Sequence, residues 1–172
     1  MSLILGIDPG SVKTGFGIIN ASGSKREYIE SGVIRLPQTT LAERLQIIFS
    51  KLCDIIQEYC PQSMAIEQIF MSKSAGSALK LGQARGAAIV AATSHHLPVA
   101  EYEARKVKQS VVGNGAADKC QVQLMIKHLL KLSATPQEDA ADALAVALCH
   151  ANTYQYLEKV SQAKTFRRGR IV

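Results

Sequence analysis

Four carboxylates in this chain stand where a carboxylate is hard to keep. Asp8 closes the apolar run Leu3-Ile4-Leu5-Gly6-Ile7, and Glu67 closes Met64-Ala65-Ile66. Asp139 and Asp142 lie three residues apart in a segment whose continuation, Ala140 to Leu148, is otherwise apolar. An ionised carboxylate beside apolar surroundings is costly unless it is hydrogen-bonded or neutralised, and converging carboxylates raise one another's pKa. A divalent metal relieves both penalties, and hard oxygen donors are what Mg²⁺ prefers. Two such ions about 4 Å apart would clamp the attacking and leaving oxygens of a phosphodiester hydrolysis. The chain as a whole is basic, with 20 Lys and Arg against 14 Asp and Glu, a net charge of +6 and a pI of about 9.2. Acids held within a cationic protein suit a polyanionic substrate.

Each acid alone has a plainer account. Asp8-Pro9-Gly10 is ordinary turn chemistry. Glu67 could be a strand-end acid paired with a lysine. Asp139 suits the field of a helix N-terminus. Asp142 shares its helix face but lies a turn further in, among alanines and a leucine, where that field explains little. The four make a metal site only if two adjacent strand ends and one covering helix meet.

The elements that would bring them together can be traced along the chain. Leu3–Asp8 has the continuous apolar character of a buried strand, and Thr14–Asn20 follows after a link short enough for an antiparallel hairpin. Glu27–Leu36 is a third strand with Gly32 as a candidate bulge. Thr39 or Thr40 caps a helix to about Tyr59, along which Leu41, Leu45, Ile48, Leu52, Ile55 and Ile56 form one stripe. Met64–Glu67 is a short strand, a helix opens at Ser74 or Ser77 and runs to His95-His96, and Val99–Tyr102 is a fifth strand. Helices are expected over Ala104–Val111, Asp118–Leu132 and Pro136–Asn152. For the last, Thr135 as cap, Pro136 at the first position and Glu138 three residues on predict a capping box. The expected fold is α/β: a mixed five-stranded sheet, its first three strands antiparallel and the rest parallel, flanked by helices. Sites in such sheets gather at strand C-terminal ends, where Asp8 and Glu67 both lie.

A length of 172 residues suits one domain with a substantial core. We place that domain over residues 1–155 and a basic, mobile tail over 156–172, carrying Lys164, Arg167, Arg168 and Arg170. The apolar stretch that ends at Asp8 is too short for a signal peptide, and the longest apolar run, Ala87 to Ala92, is too short to span a bilayer. Cys53, Cys60, Cys120 and Cys149 lack CxxC spacing and are expected mostly on apolar helix faces as reduced thiols. His95-His96 is expected to close a helix, and His128 and His150 to be ordinary helical residues. These features predict a cytoplasmic protein without membrane partners.

Four segments, GIDPGSVKTGFGII, AIEQIFMSKSAGSALKLGQARGAA, EYEARKVKQSVVGNGAADKCQVQ and PQEDAADALAVALCH, together resemble the RuvC family of Holliday junction resolvases from about Leu3 to Asn152. The resemblance implies an RNase H-like fold and a homodimer that cuts four-way DNA junctions with Mg²⁺, two ions per subunit, with Mn²⁺ as a possible substitute. It implies a role in recombination and repair beside a branch-migration complex acting on the same junction. Its catalytic, metal-binding acids fall on Asp8, Glu67, Asp139 and Asp142, with no departure at these positions. Which of Asp139 and Asp142 ligates directly stays open. Lys108 and Lys119 would stand near the scissile phosphate, and Phe70 would wedge against junction bases. Lys73, Lys80, Arg85 and Lys106 are further DNA-binding candidates. The helix from Ser77 to Thr93, rich in glycine and alanine, invites close backbone approach, either to the sheet or to the same helix of a second subunit.

Two rivals remain at this level. An actin-like ATPase or sugar kinase also begins with a Gly-Ile-Asp-x-Gly strand and turn, but needs a second large lobe for which 172 residues leave no room. A junction-binding protein without catalysis would use its acids only for the fold.

Overall fold

A computed structural model describes residues 2–68 and 75–165, with the side chains of the last helix described through residue 154. Strands β1 (Ser2–Asp8), β2 (Lys13–Ser22) and β3 (Lys25–Arg35) form an antiparallel meander. Helix α1 (Leu41–Tyr59) then leads to β4 (Ser63–Glu67), and α2 (Ala75–Ser94) leads to β5 (Val99–Tyr102), both strands parallel to β1. The sheet order is β3-β2-β1-β4-β5. Helices α3 (Ala104–Val112), α4 (Lys119–Leu129) and α5 (Glu138–Thr165) complete the chain. The mixed five-stranded sheet expected from the sequence is the one observed.

Two cores lie on opposite faces of this sheet. Leu5, Ile7, Ile18 and Ile66 pack with Ile48, Leu52 and Ile56 of α1 and with Ala84, Ala88, Ala91 and Ala92 of α2. Ile4, Ile19 and Ala65 pack with Val107 and Val111 of α3, Val122 and Ile126 of α4, and Leu144 to Cys149 of α5. Strand alternation sends neighbouring residues of β1 to different cores, so Ile4, Gly6 and Asp8 face α5 while Leu5 and Ile7 face α1 and α2. Local chemistry sets the helix ends. Thr40 and Glu43 form a capping box at α1, Asp118 and Gln121 form one at α4, and Cys60 closes α1 in the left-handed region at φ 48°.

Several expectations are corrected. Helix α5 begins at Glu138, its first helical bond running from the Ala141 amide to the Gln137 carbonyl at 2.8 Å, so Thr135 and Glu138 do not form the predicted capping box. Glu138 instead pairs with Lys119. The helix continues to Thr165 rather than ending at Asn152. Residues 166–172 lie outside the described residues. Helix α4 stops at Leu129 because Lys131 turns to φ 53° and the Leu132 amide returns to the Lys127 carbonyl at 2.9 Å. The sheet irregularity falls at Ile29, between the pairs Ile18–Glu30 and Ile19–Tyr28, and not at Gly32. Gly32 makes room for Phe16, since a Cβ there would stand 2.7 Å from the ring.

Cys60 and Cys120 are exposed, and of the four cysteines only Cys149 is buried. His150 is no ordinary helical residue. Its ring bonds Ser63 Oγ at 3.2 Å and Tyr102 Oη at 2.8 Å, tying α5 to β4 and β5, and burial holds its pKa below the usual value. His95-His96 closes α2 as expected, with His96 at φ 59°.

Candidate active site

Asp8 and Glu67 end neighbouring parallel strands. Ile7 pairs with Ile66, so the next residue on each strand projects at adjacent positions on the same sheet edge. Asp139 and Asp142 descend onto them from the first two turns of α5. Three strand glycines make that descent possible. Gly15 is the cross-strand partner of Asp8, and a Cβ there would overlap the Asp139 carbonyl. A Cβ on Gly6 would overlap the Ala143 carbonyl and stand 2.8 Å from the Ala147 amide, while one on Gly17 would stand 2.7 Å from Leu144 Cδ2. The backbone of α5 therefore rests directly on β1 and β2, with alanines on its own side completing the approach. From Ala140 to Cys149 every residue of α5 is buried except Asp142. Asp142 is the one position in that stretch open to the site.

The turn presenting Asp8 is held from both sides. The fully buried Thr14 hydroxyl donates to the Gly10 carbonyl at 3.1 Å, and the Arg44 guanidinium of α1 donates to the Ser11 carbonyl at 3.1 Å. The loop after β1 is thus tied to β2 and to α1.

Electrostatics place the four acids in one field. Burial, then Asp142, Glu67 and Asp139 in turn, push the Asp8 carboxyl up to about 8, against which Lys119 acts weakly. Burial and Asp142 raise Glu67, with Lys108 and Lys119 opposing. Asp142 is raised first by burial, with Lys119 opposing most strongly among its neighbours, and Glu138 and Asp139 raising it further. Among the described residues no three His, Cys, Asp or Glu side chains are disposed as a closed metal-ligand set. The donor chemistry nevertheless fits a divalent cation: all-oxygen, hard, mutually repelling and largely desolvated carboxylates are relieved by positive charge among them.

The other candidates divide. Lys108 and Lys119 reach this field, as the shifts of Glu67 and Asp142 record. Lys106 does not; its ammonium lies 5.0 Å from the centroid of the Tyr102 ring. Lys80 is exposed on α2, and Arg85 is engaged by Glu101 of β5. Phe70 and Lys73 lie outside the described residues. Two residues that the sequence reading did not single out stand at the site. Lys13 approaches Asp139 at 4.0 Å, and Glu138 holds Lys119. Lys13 carried no distinguishing sequence signal, and the capping pattern around Glu138 pointed to another role. A cavity of about 440 Å³, lined by Arg26, Gln62, His150 and Tyr154 among others, lies at the opposite pole, and none of the four acids lines it.

Residues 4–150 match the protein family described as Crossover junction endodeoxyribonuclease RuvC. The chain belongs to the RuvC family. Crossover junction endodeoxyribonucleases RuvC of Teredinibacter turnerae and Saccharophagus degradans are 65% and 64% identical to it, each over the full length of both chains. The solved structure of T. thermophilus RuvC in complex with Holliday junction substrate superposes with a TM-score of 0.85 at 33% identity, covering 91% of this chain and 96% of that one. RuvC membership makes the chain a nuclease of recombination and repair, a DNA hydrolase on an RNase H-like fold, and implies divalent-metal chemistry. Both rival readings, the nucleotide-closing ATPase and the catalysis-free binder, give way to it. Among the described residues no helix is long and apolar enough to cross a membrane.

Proposed function

We propose that this chain binds four-way DNA junctions and resolves them by symmetric nicks on two opposed strands, with Asp8, Glu67, Asp139 and Asp142 as its metal-binding and catalytic acids. The convergence of these acids where α5 rests on β1 carries the reading. Mg²⁺ is the cation we assign, two per subunit, with Mn²⁺ as a substitute. Bound there, such ions supply charge neutralisation and an activated water for phosphodiester hydrolysis.

The protein's own groups do the rest. Asp8, central and most strongly destabilised as an anion, has the most to gain from a cation. Lys108 and Lys119 face the cluster from α3 and α4, where ammonium groups offset charge developing on a phosphate. Lys80 and Lys106 are assigned to backbone contacts, with Arg85 contributing only if it leaves Glu101. By resemblance alone, Phe70 is the wedge that stacks on junction bases and Lys73 a neighbouring phosphate contact.

Paired nicks require paired sites, and a two-fold homodimer supplies them by symmetry. The exposed stripe of α2 is the surface we assign to it. Leu79, Gly82, Gly86 and Val90 follow one another at helical spacing, Leu79 and Val90 are 65% and 56% exposed, and a Cβ on either glycine would meet nothing within 4 Å among the described residues. These glycines therefore do not serve approach to the chain's own sheet. Cytoplasmic residence and collaboration with a branch-migration complex complete the proposal.

The deciding experiment incubates the protein with an end-labelled four-way junction and Mg²⁺ and maps the cuts. Nicks at symmetry-related positions on two opposed strands are expected. Cleavage of linear duplex at an equal rate, or unpaired nicks, would overturn junction resolution. Lys108→Ala and Lys119→Ala are expected to lower the cleavage rate more than affinity, and Phe70→Ala to spare duplex binding while impairing junction cleavage.

A further inference from the structure

Lys119 is in an unfavourable place for a lysine. It is the first residue of α4, directly after the capping Asp118, where the helix field repels a cation. Its side chain is 63% exposed, and a four-carbon stem on an exposed position samples many rotamers unless something holds its end. Nothing in α4 holds the ammonium. Glu138 does, from the first residue of α5, where the helix field favours an anion. Two helix N-termini thus meet across one ion pair, and the acid on one side offsets the misplacement on the other.

We infer that Glu138 is a positioning residue for the hydrolysis, tethering the Lys119 ammonium at the rim of the carboxylate cluster where a phosphate can reach it. The inference rests on the assignment of Lys119 to the phosphate made above. Lys119 also feels Asp142 and Asp8. Those two acids cannot keep it once cations neutralise them, because the same cations repel an ammonium. Glu138 stands outside the four assigned acids and so retains its charge for Lys119 when they are occupied. The pair is about half exposed on both sides, 63% and 48%, so it contributes little to stability. Its effect should therefore appear in rate and not in melting.

The test uses the full chain with four-way junction DNA, measuring single-turnover cleavage at saturating enzyme in Mg²⁺, junction affinity in EDTA, and thermal melting. Glu138→Gln is expected to slow cleavage about tenfold, with affinity unchanged or tighter because one negative charge facing the DNA is gone, and with melting unmoved. Glu138→Asp, which restores the charge on a shorter arm, should recover part of the rate. In a Lys119→Ala background, Glu138→Gln should cause no further loss. Parental cleavage by Glu138→Gln beside a slow Lys119→Ala overturns the tether while leaving the Lys119 assignment standing. A full additional loss in the Lys119→Ala background also overturns it, since Glu138 would then act alone. Parental cleavage by Lys119→Ala removes the Lys119 assignment and the tether with it.

Discussion

Helices α5 and α2 are both built of small residues, yet they spend them differently. In α5 the turns from Asp139 to Ala147 press on Gly6, Gly15 and Gly17 of the strands, none of which has space for a Cβ. In α2 the glycines are on the helix itself and point to open space, while Ala84, Ala88, Ala91 and Ala92 face the core. Small residues permit close approach in either case. Contact with the chain's own sheet accounts for those in α5. The outer stripe of α2 has no such account within the described residues, and a second subunit is what we assign to it. The comparison separates residues whose removal should cost the site from residues whose removal should cost assembly.

The largest expected effect is catalytic. Asp142→Asn should lower junction cleavage by about 10²–10³-fold or more while junction binding and melting persist, because Asp142 is the one open position in the buried stretch of α5. Cleavage near the parental rate would remove Asp142 from the site. Next is the seat of α5. Gly15→Val should destabilise the chain by several kcal/mol, about 3 or more, since its side chain would have to displace the Asp139 backbone. Denaturant unfolding reads this, and a loss under about 1 kcal/mol would mean that α5 can lift freely.

Asp8 offers a third test with the opposite sign. Its carboxyl is raised from 3.8 to about 8, so without metal the folded chain holds a proton that the unfolded chain releases. Stability in EDTA should therefore fall as pH rises from about 4 toward 8. Asp8→Asn should flatten that fall and melt higher than the parent at pH 8, by something on the order of 1–3 kcal/mol, while abolishing cleavage. Equal pH dependence of melting in parent and mutant would contradict the shared electrostatic field.

The fourth and fifth tests turn to α2. Val90→Glu should weaken dimerisation at least about tenfold and suppress paired nicking in a chain that stays folded; sedimentation at micromolar concentration reads it, and an unchanged dimer mass would place the interface elsewhere. Ala87, by contrast, is half-buried against the chain's own core and would confound such a test. The smallest effect is Gly82→Ala, which should raise the stability of the isolated chain by up to about 1 kcal/mol, since the glycine meets nothing among the described residues and alanine is the better helix former. Destabilisation on that scale would show that α2 needs its glycine within the chain.

Much of this molecule was legible from its residues. Apolar runs closed by Asp-Pro-Gly, by Pro37 and by Pro61 gave strands and helices whose ends agree with the structure to within a few residues, because turn chemistry and capping are local. The four acids proposed for the site stand out in the sequence because a carboxylate at an apolar edge is anomalous wherever the chain goes. Local reasoning misled where a tertiary partner outcompeted a local one. Glu138 matches a capping box, yet a lysine nineteen positions away in sequence takes its carboxylate. Gly32 resembles a bulge, yet the Phe16 ring across the strand needs its space. His150 looked like any helical histidine until β4 and β5 brought two hydroxyls to its ring.

By itself, then, the sequence determined the element types, the meander followed by parallel strands, and which acids stand at apolar edges and are proposed for the site, since each follows from periodicity, turn residues or the cost of desolvating charge. Only the tertiary structure decided how closely α5 settles on β1 and β2, which lysines enter the field of the acids, and which glycines of the chain remain uncovered. The seat of α5 depends on contacts between residues more than a hundred positions apart, such as Gly15 with Asp139, and the field of the acids on contacts between separate elements; no local pattern encodes the distance across such a contact.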